Sequence, residues 1–311
     1  MIYTFGGSGA KWHWATWSDW LHMYAGPVTN WAAPGYCSQN IYWALTEKRK
    51  QITKDDHVMI IWSPTTETVN WYDEDWIMEE DCWGFFPKEN GKLWFTKDDP
   101  WLGMYKLHPK HKTSLTQLIV ESLTAILHSQ WLLDRIGCKY TMMMSLVPWV
   151  DSRPTHGRKY VTNWDKKIRF DPKEFLAAKQ IIKLDPIRDI IEQIDWTKFE
   201  GVPADPFDIE NWYGICEYEF RNERHWEYFP LKHVTDNHPN SLTYHDFTLE
   251  HLLKIDPLQG KYREAAREIA EQSINIPIPA LTPDEFVATP DLPIKFNIEQ
   301  WLDKHNYNSV K

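Results

Sequence analysis

Positive charge is in short supply: 34 Lys and Arg stand against 44 Asp and Glu, a formal net charge of −10 with histidine neutral and a pI near 5.7. Electrostatic capture of nucleic acid or of an anionic membrane surface needs the opposite balance, so neither is expected as a main partner. Also lacking is any apolar run of about 20 residues, which together with a mean hydropathy of −0.56 excludes a spanning helix. Residues 1–5 lead straight into glycines with neither a basic leader nor a long apolar segment, so no signal peptide is read and the expected setting is the cytoplasm. The four cysteines, Cys37, Cys82, Cys138 and Cys216, are scattered with no Cys-x-x-Cys pair, and read as reduced and structural rather than as a zinc or redox centre. Gly-x-Gly-x-x-Gly and Gly-Lys-Ser/Thr patterns are missing, which sets dinucleotides and nucleotides aside; no cofactor and no metal are expected. There is neither an internal repeat nor a heptad run.

What the chain does have in excess is tryptophan: 19 in 311 residues, with aromatics together at 15%. Aromatic bulk can replace aliphatic bulk in a core wherever each indole N–H finds a partner, and it can equally build a flat surface on which sugars stack. A hydrophobic share of 42% and a charged share of 25% are those of an ordinary globular protein. The length suits two average domains or one large α/β domain with insertions.

Ile2–Phe5 reads as a buried strand running into the Gly6-Gly7-Ser8-Gly9 turn. Trp14, Trp17, Trp20, Leu21 and Tyr24 then recur at three- and four-residue spacing, which predicts a helix over 11–24 with one broad aromatic stripe. A second strand is expected over 27–31, a second helix over 38–50, and the clearest buried strand over His57–Trp62. Three strand–turn–helix units in about 60 residues point to a parallel sheet with right-handed crossovers. The stretch from about 63 to 112, rich in aromatics and acids, breaks this rhythm and reads as an insertion. A long helix is expected over 113–136, closed by Gly137, then a strand over 139–147. Helical periodicity over 172–196 is interrupted by Pro186, so two short helices are expected there; a short strand is expected over 215–220, and an amphipathic helix over 262–273 precedes a Pro-rich extended stretch. The expected architecture is an α/β three-layer sandwich with a mainly parallel central sheet: residues 1–255 form one domain with the insertion, and 256–311 a helix and an extended segment packed on it.

A serine in a Gly-rich turn directly after the first strand sits where α/β proteins place ligands, so Ser8 is the first candidate nucleophile. The second signal is Val234-Thr235-Asp236-Asn237-His238-Pro239-Asn240-Ser241, where an imidazole on a turn-fixed loop has a carboxylate two residues earlier. The same stretch also reads as a helix start capped by Asn240 or Ser241. Taken in order, Phe5-Gly6-Gly7-Ser8 through Trp17 and Leu21, Pro34-Gly35-Tyr36-Cys37-Ser38-Gln39-Asn40-Ile41, Ile60-Ile61-Trp62-Ser63 and the late Asp-x-His-Pro-Asn resemble the SGNH (GDSL-like) hydrolase superfamily, and within it the uncharacterised SGNH-like proteins of tailed-phage and marine viral genomes. The matching blocks cover roughly a quarter of the chain.

The resemblance implies Ser8 as nucleophile, His238 as general base, Asp236 as its orienting carboxylate and Gly35 as a backbone donor to an oxyanion. Ser38 or Asn40 takes the position of the family's second-block polar side chain, and Ser63 stands in the third block. The sequence departs from the family at three points: Gly7 stands where the family has Asp, the third block has no Asn, and the position three before His238 is Thr235 rather than Asp. A serine esterase or deacetylase acting on a glycan or another polar ester is implied. The rivals are an inactive SGNH-like carbohydrate-binding or structural protein of a phage, and a transferase moving an acyl group or another group onto a glycan. Oligomeric state is left open.

Other clusters read more simply. Six carboxylates at Asp73, Glu74, Asp75, Glu79, Glu80 and Asp81 lack an EF-hand spacing and read as a solvated loop. His108 and His111 lack a third metal ligand nearby. Arg153, His156 and Arg158 follow a strand and either bind an anionic group of the substrate or pair with the acidic insertion; Arg153 is kept as a substrate-binding candidate.

Overall fold

The computed structural model describes residues 1–12, 14–33, 36–63, 82–85, 93–96, 115–145, 179–208, 211, 212, 214, 215, 218, 238–273 and 296–307. Five strands form the central sheet: β1 (Ile2–Phe5), β2 (Val28–Asn30), β3 (His57–Trp62), β6 (Lys139–Met144) and β7 (Phe199–Glu200). Their order is β2-β1-β3-β6-β7 and every pairing is parallel, with Ile2 beside both Val28 and His57, and His57 beside Lys139. The chain steps from β1 outward to β2, then returns past β1 to β3, so the topology reverses between β1 and β3. A separate antiparallel pair, β4 (Cys82–Phe85) and β5 (Leu93–Thr96), lies within the 63–112 stretch.

Alternation along the strands sorts the core into two layers. Val58, Ile60 and Trp62 of β3 join Phe5, Met142 and Met144 on one face, against α2 (Ser38–Lys48), α3 (Leu115–Ile136) and α4 (Asp185–Gln193). Met59 and Ile61 turn the other way, with Met143, onto α1 (Trp17–Ala25), α5 (Ser241–Phe247), α6 (Arg263–Ser273) and α7 (Ile298–Lys304). Helices thus cover both faces, as a fully buried parallel sheet requires, and the chain is an α/β three-layer sandwich. The described helices beyond residue 256 share this second core, through Ala265, Ala266, Ile269, Ile298 and Leu302. Six tryptophans, Trp12, Trp14, Trp17, Trp20, Trp62 and Trp212, lie in the buried core, so aromatic bulk does replace aliphatic bulk there. Burying such a side chain contributes roughly 1.5–3 kcal/mol.

Several expected boundaries shift. The aromatic helix begins at Trp17, not Lys11, because Thr16 caps it: the Asp19 carboxylate accepts the Thr16 N–H at 2.8 Å. Residues 179–181 are helical and a turn over 182–184 separates them from α4, as the two-helix reading expected; Pro186 lies in the first turn of α4, where it lacks only an N–H that has no intrahelical acceptor anyway. Ile215 and Tyr218 are helical, with the Tyr218 N–H bonded to the Gly214 carbonyl at 3.0 Å, where a strand was expected. Strand β7 and helix α7 were not anticipated. Gly137 ends α3 as expected, at φ 78° with its N–H on the Leu133 carbonyl. Among the described residues no helix is long and apolar enough to cross a membrane.

Candidate functional site

Ligand sites in open parallel sheets form at the carboxyl ends of strands where the topology reverses, here the ends of β1 and β3. The chain leaves β1 through Gly6, where a Cβ would lie 2.3 Å from Ile61 Cγ2. At Gly7 a Cβ would meet the Tyr36 carbonyl oxygen at 2.8 Å and Ser63 Oγ at 2.9 Å. A side chain at this position therefore has no room: Tyr36 and Ser63 close directly over Gly7, and the Ser63 hydroxyl donates to the Tyr36 carbonyl.

Ser8 opens a 3-10 turn, Ser8–Ala10, stapled by Ala10 N–H to Gly7 O at 3.1 Å and Lys11 N–H to Ser8 O at 3.3 Å. The Ala10 carbonyl accepts from Thr16 Oγ1 at 2.9 Å and from Asn30 Nδ2 at 2.7 Å, which ties the turn to α1 and to the end of β2. Ser8 itself is half-buried. A Cβ on Gly9 would be 3.9 Å from both Ser145 Cβ and Tyr244 Oη, so the turn is also flanked by the end of β6 and the first turns of α5.

The late motif is carried to this place by tryptophan. The half-buried His238 ring stacks on Trp12, with centroids 3.7 Å apart and planes 22° apart. The Trp14 indole N–H donates to the Pro239 carbonyl at 2.9 Å, and that of Trp20 to the Ser241 carbonyl at 3.1 Å. Asn240 caps α5 through Thr243 N–H at 2.9 Å, in agreement with the capping reading of this segment. The loop bearing His238 is thus fixed to the residues that follow Ser8.

Ser38 is the first residue of α2 and is buried; its hydroxyl has no hydrogen-bond partner among the described residues. Asn40 Oδ1 accepts the Cys37 N–H and thiol, each at 3.2 Å, so its carbonyl oxygen closes the start of α2. Gly35, Arg153 and Asp236 lie outside the described residues, as do the acidic run 73–81, His108, His111, His156 and Arg158. Cys37 and Cys138 carry free thiols. Among the described residues no group of His, Cys, Asp and Glu could hold a metal ion.

A second polar cluster lies deeper and was not singled out from the sequence. His245 and Asp246, both fully buried, share a 2.9 Å contact between Nδ1 and Oδ1. His245 Nε2 meets the Tyr24 hydroxyl at 2.9 Å, that hydroxyl accepts the Tyr262 N–H at 2.9 Å, and Arg263 lies 3.4 Å from Asp246 Oδ2. A carboxylate accepts only, so Nδ1 carries the proton and Nε2 accepts from Tyr24. Burial pushes the Tyr24 phenol up to about 12. The cluster joins α1, α5 and α6; its clue in the sequence was an adjacent His-Asp pair inside an apolar helix.

No protein-family model and no curated protein matches the chain. Among solved structures it is similar to the protein YxiM of Bacillus subtilis, at 14% identity and a TM-score of 0.26, over 60% of this chain and 49% of that one. The chain therefore spans about half the length of that protein.

Proposed function

We propose that the chain is an SGNH-like serine hydrolase that cleaves esters through Ser8 and His238. The observation that carries this reading is the docking of the His238-Pro239-Asn240 loop, by Trp12, Trp14 and Trp20, onto the segment that leaves Ser8 at the reversal point of the sheet. The nucleophile and the base come from opposite ends of the chain, and three residues, four steps of at most about 14 Å of backbone in all, separate Ser8 from Trp12. In this mechanism His238 takes the Ser8 proton as the hydroxyl attacks the acyl carbon. The alcohol leaves with that proton, and water then releases the acid from the acyl-enzyme. Asp236 is assigned to hold the imidazole, Gly35 to donate to the oxyanion, and Ser38, Asn40, Ser63 and Arg153 to the substrate side. A glycan acetyl ester or a similar polar ester is the proposed substrate class, a choice that rests on the abundance of tryptophan.

A second reading, a non-catalytic binding or structural protein of the same fold, draws its support from Gly7, where there is no room for the carboxylate of the resembled family. A serine-directed fluorophosphonate and short-chain p-nitrophenyl esters separate the two. The expected result is a single adduct on Ser8 by mass spectrometry and ester turnover, both lost in Ser8→Ala. A folded wild type that neither labels nor hydrolyses would favour the binding protein, and labelling without hydrolysis would favour transfer to another acceptor.

A further inference from the structure

We infer that Trp12 is a positioning residue for His238: its indole face sets the plane of the imidazole that the proposed mechanism uses as base. The inference rests on that assignment of His238 and goes beyond it, because the resemblance supplies a carboxylate as orienter and says nothing of residue 12.

The backbone beneath the ring is already constrained. A residue before proline is held in the extended region, and here Pro239 has its carbonyl fixed by Trp14 while Asn240 caps α5. Backbone restraint does not fix the side chain's own torsions, and the second of them, a broad two-fold rotor, sets the plane in which the ring nitrogens lie. A flat ring at 3.7 Å and 22° is compatible with one plane of the imidazole, since rotation out of it drives the ring edge into the indole. Trp12 is itself held in place. It is 8% exposed, and its ring meets Trp14 edge-on at 6.3 Å and 87°. Ser8 opens the 3-10 turn and Trp12 follows its end by two residues, so the stack references the base to the segment that carries the nucleophile. An error of about 1 Å in such a placement is enough to lower a rate about a hundredfold.

The test compares wild type with Trp12→Phe, which keeps a stacking ring, and Trp12→Leu, which keeps apolar bulk without one. The His238 ring signals, assigned by their disappearance in His238→Gln, are read in ¹H–¹³C spectra alongside the rate of fluorophosphonate labelling and kcat and KM for p-nitrophenyl acetate. Expected are upfield ring-current shifts of His238 in wild type, reduced in Trp12→Phe and lost in Trp12→Leu. Labelling and kcat should fall together, on the order of tenfold to a hundredfold, in Trp12→Leu, with KM changed less than about threefold and most of the rate restored in Trp12→Phe. Loss of the shifts in Trp12→Leu with wild-type labelling and kcat would overturn the positioning role and leave the hydrolase reading standing. So would Trp12→Phe no better than Trp12→Leu while both show wild-type unfolding curves. A wild type that shows the shifts yet neither labels nor hydrolyses would overturn both, and the stack would then be packing alone.

Discussion

Tyr24 and His245, 221 residues apart in the chain, meet through a 2.9 Å hydrogen bond between the phenol oxygen and Nε2. The same oxygen accepts the Tyr262 N–H, so one hydroxyl joins three helical segments inside the second core layer. Tyr24→Phe keeps the ring and removes that partner from both groups. Taking a hydrogen-bond partner from a buried polar group costs about 1–3 kcal/mol, so the urea midpoint should fall accordingly with an unchanged slope. A midpoint equal to wild type would refute the account of this cluster.

Asp19 and His57 should pull stability in opposite directions with pH. Burial, opposed by the Thr16 hydrogen bonds and by His22, raises the Asp19 carboxyl from 3.8 to about 6. The folded state then holds this proton more tightly than the unfolded one, so the stabilisation is complete below pH 3.8 and is lost as pH rises through 6. Burial, helped by the Lys139 charge, lowers His57 from 6.5 to about 4, so stability is lost as pH falls from 6.5 through 4. Asp19→Asn keeps an acceptor for the Thr16 N–H and removes only the first effect. Relative to wild type it should gain about 1–3 kcal/mol between pH 4 and pH 7, read from urea midpoints at the two pH values. Parallel profiles would show that the Asp19 carboxyl is not perturbed by its site.

Gly7→Ala tests the closure of the second and third blocks over the first. The added Cβ stands 2.8 Å from a main-chain oxygen, Tyr36 O, which cannot swing aside as a side chain does. A loss of about 1–3 kcal/mol is expected in thermal unfolding, typical of overpacking. The loss should persist in a Ser63→Ala background, because the Tyr36 carbonyl is still there. A neutral Gly7→Ala would mean that the blocks are not so close.

Trp14→Phe removes the indole N–H from the Pro239 carbonyl and keeps an aromatic ring in the core. The stability change expected is about 1 kcal/mol. On the proposed mechanism the labelling of Ser8 should slow as well, since the His238 loop loses one of its anchors. Stability lowered with labelling unchanged would show that the loop needs only its other contacts.

Much of the fold was legible because it rests on local patterns. Val58–Trp62 is apolar throughout, which only a strand buried on both faces needs, and β3 is in the middle of the sheet. Leu115–Ile136 and Gly137 announced α3 and its end in the same local way. At the aromatic helix a neighbour overrode the pattern: the stripe of Trp14 and Trp17 continues past the helix start because Trp14 packs in the core from the chain before the helix, and Thr16 with Asp19 sets the boundary. At the site, the Gly6–Gly9 turn and the Asn240 cap were readable, whereas the crowding over Gly7 depends on Tyr36 and Ser63 arriving from two other segments.

The sequence by itself determined a parallel α/β sandwich, a glycine turn bearing Ser8 after the first strand, and a helix start capped by Asn240 just after His238, since strand periodicity, turn chemistry and capping act within a few residues of chain. Only the tertiary structure decided that these two would share one end of the sheet. The indoles of Trp14 and Trp20 find the carbonyls of Pro239 and Ser241, and the face of Trp12 finds His238, across more than 200 residues. A donor's need for an acceptor is written in its residue type; which acceptor it meets follows from how the helices pack on the sheet.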